Sequence, residues 1–105
     1  MSIIKVDVLR LEDVEQIRDR VRAALNPLRD TFLSRLSGIA IFAQDEAIRE
    51  ECSVLRTALL DITKDPTFLV AETYEDMRES LITRFKVIAS GASDTVRNVF
   101  RELEF

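Results

Sequence analysis

Residues 48–62, IREECSVLRTALLDI, place Ile48, Cys52, Leu55, Leu59 and Ile62 at spacings of four, three, four and three. Those steps return side chains to one face of a 3.6-residue helix, so the stretch predicts an amphipathic helix with a single apolar stripe. Glu50, Glu51 and Arg56 project away from that stripe. Asp45 stands just before it, and its carboxylate suits the unbonded amides of a helix start. Lys64-Asp65-Pro66 closes the segment, because proline lacks an amide hydrogen and restrains the residue before it.

Towards the C-terminus, Phe68, Leu69 and Val70 read as a short connector or single turn tucked onto the core. Thr73 followed by Asp76 resembles a capping box with Asp in place of Glu or Gln, and Tyr74, Met77, Leu81, Phe85 and Ile88 mark the next helical face. Ser90-Gly91-Ala92-Ser93 ends it, with Ser93 as the cap of a last helix that turns Val96, Phe100 and Leu103 inward.

Towards the N-terminus, Val14, Ile17, Val21, Ala24, Leu25 and Leu28 recur three and four apart, with Glu12, Asp13 and Glu15 at the helix end that favours acidic groups. Asn26-Pro27 interrupts this pattern, either as the start of a second helix or as a kink in a continuous one. Phe32, Leu33 and Leu36 lead to Ser37-Gly38, a break or close-packing point, and the uncharged run Gly38 to Ala43 is expected to be buried. Ile4, Val6 and Val8 alternate with Lys5 and Asp7, the period of a strand, so residues 1–10 read as an extended arm or intersubunit strand, or else as a loosely packed tail.

The expected fold class is all-α: a single domain over residues 1–105, a compact bundle of four to five helices with a short N-terminal strand as a further option. The Ile48–Ile62 and Tyr74–Ile88 helices are expected at its centre, with the first helical region packed across them. A composition that is 47% hydrophobic and 32% charged, with two glycines and two prolines, excludes a disordered linker. No apolar run reaches the ~20 residues of a membrane span, and the N-terminus lacks a secretory pattern. With one cysteine and so no internal disulfide, the expected compartment is cytoplasmic.

Catalytic chemistry finds little material. Histidine is absent, which removes the ordinary neutral-pH proton carrier and histidine-based triads or zinc sites. Cys52 lies on an apolar stripe and reads as a buried structural thiol. The pairs Glu46/Glu50 and Glu75/Glu79 each share a helix face but lack an oxygen-rich loop or a Glu-x-x-His partner, and Ser90 to Ser93 is no phosphate loop. We therefore expect no enzyme, no cofactor and no metal.

Net charge is −4, made of +1 over residues 1–40, −6 over 41–76 and +1 over 77–105, a profile that disfavours non-specific binding to nucleic acid or anionic membranes. Arg18, Arg22 and Arg29 align partly but are interspersed with Glu15, Asp19 and Asp30. What remains is packing surface. Val21, Leu25, Leu28, Phe32 and Leu36 form a wide apolar face and are the candidate interface, so the expected function is protein–protein interaction or an assembly subunit, including a component of a larger particle such as a phage structural or assembly protein. Self-association is the expected partnership, and an acidic inhibitor or antitoxin-like protein is a further alternative.

A different alternative comes from Gly91-Ala92-Ser93-Asp94-Thr95-Val96-Arg97-Asn98-Val99-Phe100-Arg101-Glu102-Leu103, which resembles the turn and recognition helix of bacterial helix-turn-helix regulators. The resemblance implies that Ser93 caps the helix and that Ser93, Asp94, Thr95, Arg97 and Asn98 face the groove of DNA, with Arg101 nearer the backbone.

Overall fold

The computed structural model describes residues 13–103, and the strand or arm expected within residues 1–10 lies outside them. Among the described residues the chain is all-α, with five helices and no strand. These are α1 (Val14–Phe42), α2 (Glu46–Leu60), α3 (Pro66–Val70), α4 (Tyr74–Ser90) and α5 (Asp94–Arg97), with 3-10 turns at Ile62–Lys64 and Asn98–Phe100.

The long helix α1 has a strong start. Asp13 accepts the Gln16 amide at 2.8 Å while the Gln16 side chain accepts the Asp13 amide at 3.0 Å, a reciprocal capping box that satisfies two otherwise orphaned donors. The helix then runs for 29 residues, about 43 Å at 1.5 Å per residue, straight through Pro27. Pro27 and Ala23 are both exposed, so the Ala23 carbonyl deprived of its proline partner lies on the solvent side, where its desolvation costs nothing. Thr31 Oγ1 donates to the Pro27 carbonyl at 2.9 Å in the same turn. Pro27 thus neither starts a helix nor ends one.

Ser37-Gly38 does not break α1 either, and a Cβ placed on Gly38 would meet nothing within 4 Å, so no close approach demands glycine there. The helix stops at Phe42, where Ala43 turns extended while its amide still reaches the Ile39 carbonyl at 2.9 Å. Two residues later Asp45 accepts the Ala47 amide at 2.9 Å and starts α2, forming a tight antiparallel hairpin. Pro66 occupies the first turn of α3, the position that wastes no hydrogen bond, and Phe68 seals that turn onto the core. Of the connector, Leu69 and Val70 stay exposed, because one turn can point only one of three consecutive side chains inward. Thr73 caps α4 by accepting the Asp76 amide at 3.1 Å.

One cluster of buried side chains joins all five helices. Phe32 lies at its middle with no exposed surface, meeting Phe85 of α4 edge-on at 5.7 Å between ring centres and Phe100 of the last turn at 4.9 Å. The centre differs from the arrangement expected above. α1 packs extensively on α2 and also on α4, whereas α2 and α4 touch each other much less, so α1 is the spine and the other two lie along it. No helix among the described residues is long and apolar enough to cross a membrane.

Candidate functional site

The structure places the sequence candidates unevenly. Val21, Leu25, Phe32 and Leu36 are buried in the core of this chain, and Leu28 packs half-buried against them. α2 and α4 already cover that face, so it is part of this chain's own core. The Glu46/Glu50 and Glu75/Glu79 pairs are exposed, and among the described residues no group of three or more potential ligands is placed to hold a metal ion. Cys52 is buried, and that burial, together with the neighbouring Glu51 charge, raises its thiol pKa above the usual value.

The basic face of α1 is internally neutralised. Arg18 and Arg22 bond Glu15 at 2.7 and 3.3 Å, Arg22 also reaches Asp19 at 2.9 Å, and Arg29 pairs with Asp30 at 3.3 Å. Hydrogen bonds from Arg18 and then Arg22 lower the pKa of the Glu15 carboxyl.

The segment resembling a recognition helix does not form a long helix. It is the four-residue α5 followed by a 3-10 turn, and this geometry turns Val96, Val99, Phe100 and Leu103 inward together. Valine, threonine and asparagine are poor helix formers, and the Val99 carbonyl, which a continuing α-helix would give to the Leu103 amide, instead accepts Arg35 Nη1 at 2.7 Å. Leu103 bonds back to Phe100 at 2.9 Å. Ser93 does not cap α5 with its side chain: its amide and hydroxyl both donate to the Glu51 carboxylate, each at 2.7 Å. Glu51, which was expected to point away, is therefore a strap between α2 and the start of α5. Arg97 reaches the Ala92 carbonyl at 3.2 Å and Asp94 at 3.4 Å, while Thr95, Asn98 and Arg101 remain exposed.

Those three exposed residues border a surface that the sequence reading did not identify. The uncharged run at the end of α1 was expected to be buried, yet Ile41 is 74% and Phe42 84% exposed. Beside Phe42 lies a groove of about 500 Å³. One wall is the last turn and a half of α1, with Gly38, Ile39 and Phe42, and the opposite wall is formed by Thr95, Asn98, Val99 and Arg101. A smaller lobe of about 340 Å³ continues past Ile39, Phe42 and Thr95 to Asp45 and Ile48. Helical phase could have found this surface. Continuing the Phe32–Leu36 stripe at 100° per residue keeps Ile39 and Ala43 on the core face, puts Ile41 on the opposite side and sets Phe42 at the stripe's edge, beside Ile39.

The groove's two walls are clasped together. Arg35 donates to both oxygens of Glu102 at 2.6 Å and also to the Val99 carbonyl, a planar fork across elements far apart in sequence. The Arg35 hydrogen bonds hold the Glu102 carboxyl at about 2, and Glu102 in turn raises the Arg35 pKa. Comparison of the chain with protein-family models, curated proteins and solved structures gave no significant match.

Proposed function

We propose that the chain is a non-catalytic protein-interaction or assembly subunit whose docking surface is the groove at the C-terminal end of α1. The observation that carries this reading is Phe42. A large aromatic side chain almost fully in water costs solubility, and here it edges an apolar groove instead of sitting alone among charges. Aromatic anchors beside a groove are the usual energetic centre of protein interfaces. Gly38 contributes by what it omits, since a side chain at that position would project into open space where the groove now lies.

Photo-crosslinking tests the reading. A benzoyl-phenylalanine in place of Phe42, in the full chain expressed in its native cell, should form a covalent adduct with a protein, either another copy or a different chain. The same probe at exposed Val54 on α2 serves as the control. An absence of adducts at position 42, or equal labelling at both positions, would overturn the proposal.

A further inference from the structure

We infer that the occupant of this groove is the same groove of a second copy, in a two-fold dimer where each Phe42 ring enters its partner's groove. This rests on the proposed function above and adds the identity of the partner. A two-fold interface must be self-complementary, with a patch that carries both a projection and the recess that receives it. The end of α1 has this property: Phe42 is the projection, and the recess opened at Gly38 adjoins it and is large enough for a phenyl ring.

Charge points to the same pairing. The larger lobe is bordered by Arg35 and Arg101, and the smaller one by Asp45, with Ile39, Phe42 and Thr95 shared between them. Arg35 is already matched by Glu102. Arg101 acts on the neighbouring Glu102 carboxylate through its charge but forms no ion pair among the described residues, and its guanidinium's hydrogen bond to the Asn98 carbonyl is a long 3.4 Å. One oxygen of Asp45 caps α2, which leaves the other to accept a partner. A two-fold axis near Phe42 lays the basic lobe of one copy on the acidic lobe of the other, so Arg101 meets Asp45 twice. Because both patches are small, the association is expected to be weak and dependent on concentration.

The test is sedimentation velocity on the full chain from about 10 µM to about 1 mM, a range that reports micromolar to millimolar dissociation constants. The wild-type mass should climb from 12.0 kDa towards twice that value. Phe42→Ser should weaken association at least ~10-fold, as removal of an interface anchor does. Gly38→Leu should do the same by filling the recess, and because its Cβ meets nothing, its circular dichroism and melting should match those of a folded helix. Arg101→Asp and Asp45→Arg should each abolish self-association, whereas an equimolar mixture should regain it, since both crossed contacts are then restored. A 12.0 kDa mass throughout, or dimers indifferent to Gly38→Leu and to the charge exchange, would overturn the inference. If the Phe42 photoprobe meanwhile captures only a different protein, the dimer fails and the docking reading stands; if it captures nothing, both fail.

Discussion

Phe32 and Phe42 lie ten residues apart on α1 and should respond oppositely to truncation. Phe32 has no exposed surface and joins three elements through its contacts with Phe85 and Phe100. Phe32→Ala removes the burial of a whole ring and leaves a cavity, a change that costs about 3–5 kcal/mol. Two lost edge-to-face contacts, worth about 0.5–1.5 kcal/mol each, put this site near the top of that range. Against a total stability of about 5–15 kcal/mol for a chain this size, the variant should be marginal. Urea unfolding followed by helical circular dichroism is the assay. With a slope of about 1.5 kcal/mol per molar urea, the midpoint should fall by roughly 3 M. Phe32→Leu, which keeps most of the volume but neither ring contact, should lose about 1–2 kcal/mol. Phe42→Ser should change stability by no more than about 0.5 kcal/mol, because its ring is already in water. A midpoint for Phe32→Ala within about 0.5 M of the wild type, or an equal fall for Phe42→Ser, would refute the assignment of one ring to the core and the other to the surface.

Gly38→Ala should raise stability by about 0.5–1 kcal/mol in the same unfolding assay, since helical glycine carries that entropic cost and the added methyl meets nothing. Glu102 links stability to acid: its carboxyl titrates near 2 in the fold against 4.5 when free, so the clasp's contribution is complete above pH 4.5 and is lost as pH falls towards 2. Glu102→Gln should flatten this limb of a pH series of urea midpoints while lowering stability at neutral pH. Cys52, buried and with a raised pKa, should resist thiol reagents at neutral pH in the native state and react promptly in denaturant, the rate between those limits tracking how often the core opens.

Local chemistry was readable wherever it acted alone. The Ile48–Ile62 stripe, the caps at Asp45 and Thr73, the stop before Pro66 and the inward Val96, Phe100 and Leu103 all follow from spacing and residue type, and all appear in the structure. Asp13–Gln16 carried the same kind of signal, yet only the acidic charge of that turn was recognised. Competition between levels was harder to read. Pro27 was ambiguous because the cost of a helical proline depends on whether the freed carbonyl faces water, which tertiary structure decides. The α1 stripe invited an external partner because spacing reveals that a face is apolar without revealing whether α2 and α4 already cover it. The recognition-helix resemblance failed where a distant residue intervened, with Arg35 taking the Val99 carbonyl and Glu51 taking Ser93. The groove was missed for a simpler reason: absence of charge was read as burial, while helical phase already set Ile41 opposite the core and Phe42 at its edge.

The clasp between Arg35 and Glu102 spans 67 residues, which gives the molecule an order of assembly. The α1–α2 hairpin closes through three connecting residues, whereas joining the last turn to Arg35 of α1 must close a 67-residue span, at a loop entropy greater by roughly 2–3 kcal/mol. Loop entropy therefore favours local hairpin contacts before docking of the C-terminal wall. Synthesis imposes the same sequence, because Phe42 leaves the ribosome more than fifty residues ahead of Thr95 to Arg101. A half-made chain thus presents the aromatic projection without the recess that would receive it. Neighbouring nascent chains on one message cannot yet make the proposed reciprocal pair, and that pairing is deferred until each copy has finished folding.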